Sequence, residues 1–313
     1  MLRSSSVLMV RPARFMANPQ TMASNAFQRL APESVDPQAA AELEFDRYVA
    51  ELRRAGVRVL VVQDQVEPHT PDSIFPNNWV TFHEDGTVIL YPMEAPNRRL
   101  ERKAEVLRAV EEAFVVRRRI DLSPIEATGR YLEGTGSMVL DRTHRLAYIC
   151  RSSRSHPDVV RTFTDLTGYT AVWFSGTDAM RQPIYHTNVM MAVGQRLAIL
   201  CLEAVEDPWE RATLMNHLRQ TGKELLLISR QQMSAFAGNM LELRGHQGAP
   251  LFALSRQAWT SLRPEQQVLL RSHGTPIIAP IDTIERCGGG GTRCMVAEIQ
   301  LPERISLEGL KIG

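Results

Sequence analysis

The sequence predicts an α/β fold in which one unit, a β-hairpin followed by a helix and a further strand, recurs until the chain closes on itself. Two observations carry this: the order of elements repeats, and the hairpins start near Trp79, Gly136, Val189, Met240 and Met295, at intervals of roughly 50 to 57 residues, within the range of known repeat architectures. A third is that the fifth hairpin has only one strand left after Met295. The N-terminal Val7 to Val10, the helix after Asp36 and the strand Val57 to Val62 are what remains to complete it. The plain alternative is an α/β or α+β domain whose elements alternate by chance.

Each element has its own local reason. Asp36-Pro37 reads as an N-cap and first helical residue, Leu43, Tyr48, Val49, Leu52 and Ala55 give helical periodicity, and Gly56 ends the helix. Trp79 to Phe82 and Val88 to Tyr91 flank the turn residues Glu84-Asp85-Gly86, followed by a helix over Arg98 to Phe114 and a strand over Val115 to Ile120. Gly136 to Asp141 and Leu146 to Cys150, a helix over about His156 to Gly168, and Thr170 to Phe174 repeat the order. Val189 to Val193 and Leu197 to Leu202, a helix from Asp207-Pro208 to about Gln220, and Glu224 to Ile228 repeat it again. Met240 to Leu243 and Leu251 to Leu254, a helical stretch after Ser255 broken near Pro264, and Thr275 to Ala279 form the fourth unit, and Met295 to Ile299 opens the fifth. All 313 residues are read as a single domain.

Composition excludes several classes. Of the residues 44% are hydrophobic and 23% charged, as in an ordinary globular protein, and 36 Lys and Arg against 35 Asp and Glu leave +1 without a basic face for nucleic acid or membrane. Val7 to Val10 is too short for a signal sequence and no apolar run approaches spanning length, so a cytoplasmic location is expected. The four cysteines show neither a disulfide framework nor zinc spacing, and no metal or nucleotide cofactor is expected; Gly288 to Gly291 lacks the Lys-Ser/Thr of a phosphate loop.

Function is suggested by Cys287-Gly-Gly-Gly-Gly-Thr-Arg-Cys294. Four glycines strip β-carbons from the approach to Cys294, which reads as an exposed nucleophile in need of a base and an orienting group. In a ring of like units the hairpin starts converge, and the residues there are Asn77-Asn78, Glu133-Gly134, His186 with Asn188, Asn239, and Cys294. Taken singly each has a plain reading: Cys294 a buried structural thiol, His186 a core histidine, Glu133 a surface carboxylate, Asp72 a turn cap, Asn78 and Asn239 turn residues. Cys150 and Cys201 read as packing. Cys287 reads either as packing or as a regulatory partner of Cys294.

Together, Cys294 after its glycine loop, His186 in His-Thr-Asn, Glu133 in Leu-Glu-Gly-Thr-Gly-Ser, and Asp72-Ser-Ile-Phe-Pro-Asn-Asn78 resemble the arginine deiminase superfamily of guanidino-modifying enzymes. Met9-Val10-Arg11-Pro12, Asn25-Ala-Phe-Gln28 and Phe236-Ala-Gly-Asn-Met240 look most like its bacterial citrulline-hydrolysing branch. The resemblance implies a pentein, a five-bladed pseudo-symmetric αβ-propeller of ββαβ repeats. It also implies that Cys294 attacks the planar carbon, that His186 serves as acid and base while Glu133 orients it and favours its cation, and that Asp72 contacts substrate.

Asn78 and Asn188 stand where arginine deiminases have aspartates. Guanidinium is donor-only, whereas a ureido group also carries a carbonyl, and an amide side chain offers both donor and acceptor. The expected substrate is therefore citrulline, with an arginine deiminase, a dimethylarginine-type hydrolase, or a non-catalytic pentein binding module as the alternatives. For the substrate carboxylate, Arg130 and Arg293 are candidates by proximity and Arg11 is a third. The expected partner is a small amino acid, a homo-oligomer is allowed, and the loop from Asp64 to Pro76 is a candidate lid.

Overall fold

The computed structural model describes residues 4–304. It contains five three-stranded sheets, each an antiparallel pair extended by a parallel strand. In chain order the first four are Val80–Phe82, Thr87–Leu90 and Arg118–Asp121; Met138–Asp141, Leu146–Cys150 and Thr170–Phe174; Met191–Val193, Leu197–Leu200 and Glu224–Leu227; and Leu241–Arg244, Pro250–Ser255 and Thr275–Ala279. The fifth joins the two ends of the chain. Ala297–Ile299 pairs antiparallel with Ser6–Arg11 (Ser6 opposite Ile299), and Ser6–Arg11 runs parallel to Arg58–Gln63 (Ser6 opposite Arg58).

The parallel strand of each unit requires a crossover, and helices supply it. Asp36 accepts from the backbone N–H of Gln38 and Ala39 and starts the helix Pro37–Arg54, whose buried stripe is Ala41, Phe45, Tyr48, Val49 and Leu52. Asp207 caps Pro208–Gln220, and the break at Pro264 separates Arg256–Ser261 from Pro264–His273, because proline cannot donate into a continuing helix. The central strands are apolar on both faces: Leu8, Ile89, Ile149, Ile199 and Ala253 are fully buried. Cys150, Cys201 and Cys287 pack in the core as free thiols. No helix of the described residues is long and apolar enough to cross a membrane.

The inner strands begin later than the apolar pattern predicts, for a consistent reason. Before each one the chain makes a single helical turn, closed by Asn78 N–H to Phe75 C=O, Gly136 to Glu133, Val189 to His186, Asn239 to Phe236 and Cys294 to Gly291. Asn78, Gly136, Val189, Asn239 and Cys294 are thus equivalent by position, as are Glu133 and His186 one turn earlier.

The helix expected over Arg98 to Phe114 is two pieces, Pro96–Arg99 and Ala104–Ala113. The break lets Arg98 and Glu101, 4% and 2% exposed, turn inward. The loop from Asp64 to Pro76 is fastened rather than loose: Lys103 Nζ, buried, donates to Asp64 Oδ1 at 2.6 Å and Thr70 Oγ1 at 3.1 Å.

Candidate active site

The turns bring Cys294, His186, Glu133, Asp72, Asn78, Asn188 and Asn239 together. Gly289, in the left-handed region at φ 65°, ends the helix Asp282–Gly288 and turns the chain toward Cys294. A β-carbon on Gly288 or Gly290 would run into the Phe75 ring, so those glycines make room for packing as well as for a ligand. Cys294 is 5% exposed, not the open nucleophile the glycine loop suggests. Its sulfur receives Asn239 Nδ2 at 3.2 Å and Asn188 Nδ2 at 3.4 Å.

His186 Nε2 lies 2.7 Å from Glu133 Oε2, and Glu133 also accepts from Arg154 Nη1 at 3.3 Å and, through Oε1, from Glu94 N–H at 3.0 Å. Burial alone would raise the Glu133 carboxyl, but the Arg154 guanidinium, the His186 bond and Arg98 outweigh it and hold it below the usual carboxylate range. An ionised Glu133 makes Nε2 the protonated nitrogen and leaves Nδ1 with the lone pair. Nδ1 faces Gly136, where a β-carbon would lie 2.8 Å from it and 2.3 Å from Asn78 Nδ2; the absence of a side chain admits the ring and the amide together.

Burial pushes the His186 imidazole down to about 4, overriding the upward pull of Glu133, while Arg154 and Arg98 depress it further. Burial likewise raises the Cys294 thiol above its ordinary value, against the lowering by Asn239, Arg293 and Asn188. In place of the expected cationic imidazole, burial favours the neutral forms of both His186 and Cys294. Taking two charges into so dry a site would cost more than their attraction returns.

Asp72 accepts from Asn18 Nδ2 at 2.7 Å and Thr21 Oγ1 at 3.3 Å, with Arg98 Nε at 3.7 Å. Arg98 also pairs with Glu101 and donates from Nη1 to Asn78 Oδ1 at 3.0 Å. The segment around Asn18 to Gln28 covers the site, tied by Gln28 to Gly288 C=O at 3.1 Å and Asn25 to Gly289 C=O at 3.4 Å; Tyr185 O–H reaches the latter at 3.0 Å. The cavity among Thr21, Asn25, Asp72, Arg98, Arg154 and Cys294 holds about 20 Å³, room for little more than one water. An amino acid enters only if this cover withdraws.

The three arginines chosen by sequence lie elsewhere. Arg130 is on the surface, pairing with Asp158 at 3.2 Å. Arg293 points away from Cys294 to Val296 C=O and Glu298. Arg11 pairs with Asp46 and Glu42. The arginines that do line the cavity, Arg98 and Arg154, were not legible as site residues, one lying within an expected helix and the other in a serine-rich loop.

Five like sheets whose turns carry a buried thiol, imidazole and carboxylate fit a pentein of the arginine deiminase type. The family described as N,N dimethylarginine dimethylhydrolase, eukaryotic, matches residues 11–301, and the chain belongs to it. No curated protein sequence matches. Among solved structures, apo ArgZ, an arginine dihydrolase from the ornithine-ammonia cycle in Cyanobacteria, is similar with TM-score 0.73 at 15% identity, covering 97% of this chain and 42% of that one. The chain thus spans less than half of full-length ArgZ. The N-terminal domain of ArgZ bound to product gives TM-score 0.74 at 15% identity over 96% and 99% of the two chains. A dimethylarginine dimethylaminohydrolase adduct with 4-chloro-2-hydroxymethylpyridine gives 0.65 at 14% identity over 95% and 100%.

Proposed function

We propose that the protein hydrolyses the ureido C–N bonds of citrulline, giving ornithine, ammonia and carbon dioxide through a covalent adduct on Cys294. One observation carries the choice of a ureido group. Asn78 Nδ2 and Asn188 Oδ1 are buried around the site and have no hydrogen-bond partner among the described residues. A free donor and a free acceptor suit a group with one carbonyl oxygen and N–H donors. A guanidinium would place its N–H against the Asn78 donor.

The five sheets are read as blades of a closed ring whose axis carries this site. Arg98 and Arg154, the cations lining the cavity, take the substrate carboxylate. His186 Nδ1 accepts the thiol proton as Cys294 Sγ bonds to the ureido carbon, and the imidazolium, stabilised by Glu133, returns that proton to the departing amine. The remaining carbamoyl thioester is attacked by water, whose proton His186 takes. The C–S bond breaks, the thiol is regenerated, and the released carbamic acid falls to ammonia and carbon dioxide. Asn78 Nδ2, which has no partner among the described residues, stabilises the oxygen as charge develops on it.

A guanidino substrate is the second reading, favoured by Asp72 on the cavity wall. Against it, Asp72 is already engaged by Asn18, Thr21 and Arg98. Purified protein is incubated with L-citrulline and, separately, L-arginine, with products identified by mass. Ornithine from citrulline, lost in Cys294→Ala, supports the ureido reading. Turnover of arginine with citrulline untouched overturns it.

A further inference from the structure

Behind the glycine loop lies an acid that the chemistry above does not use. Glu285, in the helix Asp282–Gly288, is 2% exposed, and neither carboxyl oxygen has a hydrogen-bond partner among the described residues. It faces the loop itself. A β-carbon on Gly291 would lie 2.9 Å from Asn239 Oδ1 and 3.4 Å from Glu285 Oε1, so the carboxyl and the amide oxygen converge on one glycine. That amide is the one whose Nδ2 donates to Asn188 C=O at 2.9 Å and to Cys294 Sγ at 3.2 Å. Asn239 Oδ1, buried and unpartnered, is an acceptor, and the group facing it is a donor only when it carries a proton.

The charges around Glu285 all oppose its ionisation. Glu44, on Pro37–Arg54, accepts from the N–H of Thr283 and Ile284 at the start of the same helix, and Asp282 pairs outward with Arg256. Arg286 on the same helix donates to Leu30 C=O, away from the carboxyl. Ser255, which accepts from Ala258 N–H as a helix cap, has a hydroxyl that favours the ionised form. Among the described residues no cation offsets a buried carboxylate here.

We propose that Glu285 is held as a neutral carboxylic acid and is a positioning residue, orienting the Asn239 amide so that its NH₂ faces the Cys294 sulfur. The idea rests on the thiol reading of the site but not on the identity of the substrate. Burial pushes this acid up to about 8 against the lowering by the Ser255 hydroxyl, with Asp282 and Glu44 adding to the rise. Around that pH the donor is lost and a charge appears behind the loop.

The test is the rate of Cys294 alkylation by iodoacetamide as a function of pH, on full-length protein with Cys294→Ala as blank, alongside thermal melts over the same range. Glu285→Gln keeps a donor and cannot ionise. Its alkylation rate stays within about twofold of the parent at pH 7 and rises smoothly, while the parent departs from simple thiolate behaviour near pH 8. Glu285→Leu, with no donor, alters the pH 7 rate about fivefold or more. The melts give an independent reading. An acid that is neutral when folded and ionised when unfolded loses stability as pH rises from about 4.5 to about 8, and the glutamine variant loses that slope.

Parent and glutamine variant with the same pH profiles, or glutamine and leucine variants equally impaired, overturn the proposal. If Glu285→Leu does not fold, the glutamine profiles alone decide it. Failure of citrulline turnover with the alkylation pattern intact removes the substrate reading and leaves this one standing.

Discussion

The Arg98 guanidinium donates to Asn78 Oδ1 at 3.0 Å. This bond takes up the amide's acceptor and fixes its orientation, leaving Nδ2 on the side of Gly136 and His186 Nδ1, without a partner among the described residues. The protein's own guanidinium thus lies against the amide on which the ureido reading depends.

Asn78→Asp removes the donor aimed at the ureido oxygen and sets a carboxylate beside Arg98. Citrulline kcat/KM should fall about 10²- to 10³-fold, the usual cost of losing an oxyanion donor, and mostly in kcat. Asn78→Ala should fall comparably. Steady-state kinetics with both variants checks this, and an unchanged kcat in Asn78→Ala would remove Nδ2 from the chemistry.

Gly136 holds the position in its repeat that Asn78, Asn239 and Cys294 hold in theirs, and its lack of a side chain is what lets the His186 ring approach the Asn78 amide. Gly136→Ala brings a methyl within 2.3 Å of Asn78 Nδ2 and 2.8 Å of His186 Nδ1. Turnover should be lost while circular dichroism and melting show a folded protein, since the clash displaces two site side chains rather than the core. A fully active alanine variant would mean that these groups do not need this approach.

Much of this was legible in the sequence because the polar residues sit at one repeated point, just before an apolar hairpin. Cys294, His186 and Glu133 could be found from that rule alone. The late strand starts could not, because the single turns Gly134–Ser137 and Thr187–Val189 lead into the strands with no proline or charged residue to mark the boundary. Arg98 escaped notice because the apolar periodicity from Leu100 onward hides the break before Ala104. Arg154 escaped because Arg-Ser-Ser-Arg-Ser between a strand and a helix reads as solvated, although the side chain is buried against Glu133 and stacks over Tyr185 with the guanidinium carbon 4.9 Å from the ring centroid. Arg293 misled because successive residues of a tight turn point apart: Cys294 faces the cavity and Arg293 faces Glu298.

The neutral resting pair sets the pH behaviour. With His186 held down to about 4 and Glu133 ionised, the acid limb of kcat/KM should lie near pH 4 rather than near the ordinary imidazole value. The same shift acts on stability. The unfolded chain binds the imidazole proton below about 6.5 and the folded one does not until about 4, so stability falls as pH drops through that window. Rate profiles and melts between pH 4 and 8, compared with His186→Gln, check both; an acid limb near 6.5 would mean that Glu133 outweighs burial.

Lys103 and Arg130 provide a contrast between a buried and an exposed ion pair. Lys103 holds the loop that carries Asp72 and Phe75 through Asp64 and Thr70, and its side chain is 8% exposed against 2% for Asp64. Lys103→Met strands the Asp64 carboxylate without its cation and should cost about 3 to 5 kcal/mol, as for other broken buried pairs. Because that loop is one wall of the cavity, the surviving folded fraction should also show a raised KM. Arg130, 40% exposed with a partner at 43%, lies outside the cavity. Arg130→Ala should stay within about 0.5 kcal/mol of the parent and leave KM unchanged. Urea melts and steady-state kinetics on the two variants separate the cases, and a KM that rises in Arg130→Ala alone would return the carboxylate-binding role to Arg130.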